Sequence, residues 1–227
     1  MKTHYLLGLL LVVGCAPRAV RTPSADARPY DVIVEGGRIV DGTGAAWFYG
    51  DIGIRGDRIA RITPRGMLRE ARARDRIDAT GLVVAPGFVD IQSHSRGAFL
   101  DRGDGRVVSK VTMGVTTEIM GEGTTNAIVN ARILSNDTTE RARYALQRYT
   151  GPRGFDNWLT DMETHGASVN VASFLGGDNL RTYAKGETMG APNAAELDSM
   201  RKVVRWAMEG GALGIATALI YPPSNFA

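Results

Sequence analysis

Three histidines, one cysteine and a scatter of carboxylates are what the chain offers for metal or nucleophilic chemistry. His94 stands in the stretch APGFVDIQSHSRG, residues 85–97, where a Pro-Gly turn leads into a short apolar run and the histidine follows its end. An imidazole there can ligate a metal, or it can be a hydrogen-bonded pocket histidine. Gln92 lies two residues earlier and shares a strand face with His94 if both are extended; Asp90 lies four earlier. A second histidine at position 92 would aim two imidazoles at one ion. The amide oxygen of glutamine is uncharged and poorly suited to zinc.

The next carboxylates are Glu118 and Glu122, in TTEIMGEG. Glu122 occupies a glycine-flanked turn, where it can bind a metal, hold a substrate amine or simply be solvated. Asp178, in GGDN, is a weaker candidate because aspartate after Gly-Gly is ordinary turn chemistry. His165 precedes Gly166 at the end of a predicted helix, where an imidazole suits the dipole, and it reads as structural. His4 belongs to the leader. No residue is identified as a catalytic acid or base. HExxH is absent and no serine or cysteine triad is evident, which removes support for a general peptidase.

These residues need elements to carry them. From Tyr30, YDVIVEGGRIVDGTG predicts a strand, a turn at Gly36-Gly37 and a second strand. GDIGIRGDRIARI predicts another pair around Gly56-Asp57, and DRIDATGLVVAPG closes a small β-sandwich or sheet module over 30–84. From 85 onward the pattern alternates strand and helix four times. Strands are predicted at GFVDIQSH, GVTTEIMG, SVNVASFLGG and ALGIATALIYPP. Their continuous apolar texture is that of buried parallel strands. The helix carrying FDNWLTDMETHG places Phe155, Trp158, Leu159 and Met162 on one face and stops at Gly166. The clearest helix, NAAELDSMRKVVRWAMEGG, opens with an Asn193–Glu196 capping box.

The leader reads differently. MKTHYLLGLLLVVGCAP has a short positive start and a nine-residue apolar core at 5–13, well short of the roughly 20 residues a membrane span needs. Its VVGC ending resembles a bacterial lipobox, which implies a signal peptide at 1–14 and lipidation of Cys15. Ala16 does not resemble an inner-membrane retention signal, so the expected location is the cell envelope, anchored in the outer membrane and facing the periplasm. Residues 15–29 read as a tether. Cys15 is the sole cysteine, so no intramolecular disulfide forms and no thiolate ligand exists in the body of the chain.

The composition, 44% hydrophobic and 22% charged over 227 residues, is that of a globular protein. A net charge of +3 gives no nucleic-acid footprint. The basic run RGMLREARARDR, 65–76, lacks an aromatic platform and reads as a solvated connector.

The segments YDVIVEGGRIVDGTG, GDIGIRGDRIARI, IDATGLVVAPGFVDIQSHS, GVTTEIMGEG, SVNVASFLG and EGGALGIATALIYPP together resemble the N-terminal part of the amidohydrolase superfamily, in its N-acyl-D-amino-acid deacylase branch. The resemblance implies an α/β fold: an incomplete TIM-like (β/α)8 barrel, its first half at 85–227, preceded by part of a β-sandwich. It implies one or two Zn2+ ions and a small N-acylated amino acid as substrate, with His94 and Glu122 as the metal ligands available. In such enzymes a metal-activated water attacks the amide carbonyl.

The sequence departs from the family pattern in places. Gln92-Ser93-His94 replaces His-x-His, and Ser95-Arg96 replaces Ser-Asp. Gly121-Glu122-Gly123-Thr124 replaces Gly-Asn-Cys-Gly, leaving glycine where the family carries a ligand cysteine. The later strands, with further histidines and the catalytic aspartate, are expected beyond Ala227, so the 227 residues alone are expected to be inactive. The competing expectation is a non-catalytic envelope lipoprotein whose relic barrel binds small molecules.

Overall fold

The structure, a computed structural model, describes residues 29–95, 97–101, 105–135, 139–222 and 225. The expected signal peptide, Cys15 and all of the tether except Pro29 lie outside the described residues. No helix among the described residues is long and apolar enough to cross a membrane. The chain divides between Pro86 and Gly87 into two compact units.

The first unit is one sheet of five strands: β1 (Tyr30–Ile39), β2 (Phe48–Arg55), β3 (Arg58–Pro64), β4 (Ala73–Asp78) and β5 (Val83–Val84). β2 pairs antiparallel with β1 and with β3, while β4 and β5 both run parallel to β1. The β2–β3 hairpin turns at Gly56-Asp57, as the sequence indicates. One expectation is corrected here. Gly36-Gly37 does not end a strand: β1 runs through it, and the register shifts between Val34 and Gly37, a bulge made accessible by Gly36 at φ +70°. The small module expected over 30–84 is, among the described residues, a single sheet.

The core of this unit is Tyr30, Ile33 and Leu68. Leu68 sits inside the basic run that was expected to be a solvated connector, and Arg76 there reaches Glu35 and the carbonyls of Leu68 and Ala71. Asp51, buried in β2, accepts from the backbone N–H groups of Gly36 (3.0 Å), Gly66 (2.7 Å) and Leu68 (3.2 Å). It is a structural acid, tying the bulge to the connector.

In the second unit, β6 (Phe88–Ser93), β7 (Val115–Met120) and β8 (Asn170–Ser173) form a parallel sheet in that order. β9 (Leu175–Gly176) continues β8 after a break at Phe174 and pairs in parallel with β10 (Ile215–Ala216). The fourth predicted strand is thus only two residues long by hydrogen bonding. Between the strands lie α1 (Val108–Thr112), α2 (Glu140–Arg148), α3 (Gly154–His165), α4 (Gly177–Lys185) and α5 (Ala194–Glu209). α5 begins with the expected capping box: the Asn193 side chain accepts from Glu196 N–H at 2.9 Å, and Glu196 accepts from Asn193 N–H at 2.8 Å. α3 ends at His165 with Gly166 as its cap. Phe155, Trp158 and Met162 enter the core with Phe99, Met120, Leu175 and Val203.

The second unit is thus an α/β arrangement of parallel strands and helices, with a small sheet module before it in the chain. β6 pairs only with β7 among the described residues. Its Phe88, Val89 and Ile91 are each more than half exposed, as are Leu219, Ile220 and Tyr221 after β10. Buried parallel strands are apolar on both sides, and at these borders the second cover is absent among the described residues.

Candidate functional site

Parallel strands place whatever follows them at one common rim. β6 ends at Ser93 and His94 comes next; the neighbouring β7 ends at Met120 and is followed by Gly121-Glu122. Strand alignment brings Ser93 opposite Met120, so His94 and Glu122 emerge side by side. Their side chains meet, His94 Nε2 lying 3.3 Å from Glu122 Oε2. The imidazole is 73% exposed and the carboxylate 30%. Gly121 makes the turn possible: its φ is +99°, and a Cβ there would sit 2.2 Å from the carbonyl oxygen of Phe174. A small cleft at this rim is lined by Ser93, His94, Gly121, Glu122, Thr125 and Trp158. The Trp158 indole Nε1–H is buried and has no hydrogen-bond partner among the described residues.

The other candidates fall elsewhere. Asp90 is committed to Lys110, whose ammonium hydrogen bond, with the Gln92 N–H behind it, holds the carboxyl below its ordinary value. Gln92 is exposed. Asp178 is buried in the first turn of α4, so GGDN is a helix start and not a turn. Its N–H donates to Gly123 O at 2.8 Å, which packs α4 against the Glu122 turn. His165 terminates α3 beside a cavity of about 490 Å³ bordered by Leu100, Val129, Ala145, Tyr149 and Asp161.

Glu118 is not available to solvent or ligand, as the sequence suggested it could be. It is completely buried in β7. Ser93 Oγ donates to its Oε2 at 2.9 Å and Ser95 Oγ to its Oε1 at 3.0 Å. The signal for this was an acid inside the β-branched apolar run of β7, which a buried strand tolerates only with partners.

A structural zinc site takes four ligands and a catalytic one takes three plus an open position. His94 and Glu122 supply two, and no group of three or more His, Cys, Asp or Glu side chains among the described residues could hold a metal ion. The described residues therefore do not complete a zinc site.

No protein-family model matches the chain. D-aminoacylase from Alcaligenes xylosoxydans xylosoxydans is 34% identical over 204 residues, covering 88% of this chain and 40% of the relative. N-acyl-D-glutamate deacylase of the same organism is 33% identical over 208 residues, covering 87% of this chain and 39% of the relative. Among solved structures, N-acyl-D-glutamate deacylase from Bordetella bronchiseptica, complexed with zinc and a phosphonate inhibitor, superposes with a TM-score of 0.72 at 31% identity, covering 88% of this chain and 40% of that one. The chain thus spans about two fifths of the length of the relatives it matches. On a likeness that runs from the small sheet through the parallel strands, the chain belongs to the amidohydrolase superfamily, in its D-aminoacylase (N-acyl-D-amino-acid deacylase) branch.

Proposed function

We propose that this chain is the N-terminal portion of a hydrolase of non-peptide amide bonds, acting on small N-acylated D-amino acids. Water adds across the amide: the acyl C–N bond breaks, and a carboxylic acid and a free amine leave. The observation that carries the reading is the meeting of His94 and Glu122 at the ends of adjacent parallel strands, in a chain aligned over most of its length with deacylases. His94 and Glu122 are the chain's contribution to a metal centre, and its remaining ligands come from outside the described residues. In the same proposal, residues 1–14 are a lipoprotein signal and Cys15 carries the acyl anchor. Residues 30–84 form the composite sheet module, and 85–227 form the first half of the barrel. The protein then works at the periplasmic face of the outer membrane.

The test is an assay of the protein encoded by the extended reading frame, purified with added zinc, on N-acetyl-D-amino acids and their L counterparts. Hydrolysis selective for the D series, lost in His94→Ala together with bound zinc, is the expected result. Absence of turnover on both series overturns the reading. A second reading, a non-catalytic binder, is favoured by the two-donor count, with Gln92 and Gly123 standing where the family pattern has ligands. Histidines at the ends of two later strands and a late aspartate in the extended frame decide against it.

A further inference from the structure

We propose that Glu118 is the positioning residue for His94, holding the imidazole against Glu122 through the two serines that flank it. This rests on the reading of His94 and Glu122 as the site. Among the described residues the His94 ring is anchored by Glu122 alone, and it is 73% exposed. The residues either side of it are fixed. Ser93 Oγ and Ser95 Oγ donate to opposite oxygens of Glu118, at 2.9 and 3.0 Å, and Ser95 N–H closes back onto Ser93 Oγ at 3.2 Å. The segment Ser93-His94-Ser95 is thereby looped over one buried carboxylate, and the loop's outermost residue is the histidine.

Stability alone does not explain an acid at this position. Burying a carboxylate costs several kcal/mol, and hydroxyl donors without a cation repay little of it, so an apolar residue of similar size would suit the strand as well or better. No cation pairs with Glu118 at ion-pair distance among the described residues; the nearby Lys110 is engaged by Asp90. What the carboxylate supplies, and a valine or leucine would not, is two acceptor oxygens spaced to grip two hydroxyls at once. A side chain held by packing and by supporting hydrogen bonds keeps a functional group in its productive geometry.

The test is nuclear magnetic resonance on the 227-residue chain. It contains only three histidines, so His94→Asn identifies the His94 ring protons. In the unmodified chain a nuclear Overhauser contact between the His94 ring and the Glu122 side chain is expected. Ser95→Ala weakens it and Ser93→Ala/Ser95→Ala abolishes it, while the remaining spectrum stays folded. Glu118→Ala abolishes it too. Glu118→Gln preserves it, because serine hydroxyls can turn to donate to the amide oxygen and accept from the amide nitrogen. A contact that persists in both the double serine variant and Glu118→Ala overturns the proposal, as does its absence from the unmodified chain. A chain that shows the expected pattern while the extended protein hydrolyses nothing would retain the clamp and lose the deacylase.

Discussion

Two acids in the second unit, Asp161 and Glu122, sit within clusters of similar residue types and differ in how much bonding capacity they have left. Asp161, on α3, accepts from Tyr144 OH at 2.8 Å, from Tyr149 OH at 2.9 Å and from Arg148 Nε at 2.8 Å, with a second bond from the same guanidinium. Every lone pair is used. Burial pushes its carboxyl up, and the donors, Arg148 first, outweigh that and leave it below the ordinary aspartate value. Burial, with the bond to Asp161, raises Tyr149 well above a normal phenol. The Glu122 side chain is 30% exposed, and among the described residues the His94 imidazole is the one polar side chain its carboxylate meets. A saturated carboxylate fastens α2 to α3; an unsaturated one can take a ligand. The difference lies in spare valence, since both clusters are built from acids with basic or aromatic neighbours.

This contrast predicts a graded series of effects. Asp161→Ala leaves the Arg148 guanidinium and two phenols without their acceptor, and should cost about 3 kcal/mol in urea unfolding; a cost below about 1 kcal/mol would break the comparison. Because the folded carboxyl lies below its unfolded value, its stabilisation is present above the unfolded value of about 3.9. It is lost as pH falls through the lower folded value. The acid limb of the stability curve should therefore flatten in Asp161→Asn. Tyr149→Phe removes a single donor and should cost about 1 kcal/mol, without changing the denaturant slope. At the other cluster, Glu122→Gln should change stability by less than about 0.5 kcal/mol. A large loss there would mean that Glu122 is a structural acid like Asp161.

Much of the scaffold was legible beforehand because its signals are local. The Asn193–Glu196 cap, the Phe155–Trp158–Met162 stripe and the Gly56-Asp57 hairpin each need only neighbours in sequence. The strands β6, β7 and β8 were visible as apolar runs, and His94 and Glu122 could be placed at their ends. What was missed depends on partners far away in the chain. Gly36-Gly37 has a turn's composition, and only the pairing of β1 with β2 makes it a bulge. Glu118 and Ser93 are separated by 25 residues. Nothing local marks Asp51 as a buried acid, because its donors lie 15 to 17 residues away, at Gly36, Gly66 and Leu68. Nothing local to Asp90 reveals its partner Lys110, twenty residues on.

The outer border of β6 carries a further consequence. Its neighbour β7 runs in the same direction, as does β8 beyond it. A strand that extends this sheet in the same sense cannot be delivered by a tight hairpin, which reverses the chain; it must arrive after a crossover of a dozen or more residues, or from another molecule. An antiparallel tail could bond to this edge, as β2 does to β1 opposite the parallel β4, but it would not continue the parallel order of β6, β7 and β8. Engineering that extends that order past Phe88, Val89 and Ile91 begins with a whole strand-and-helix unit.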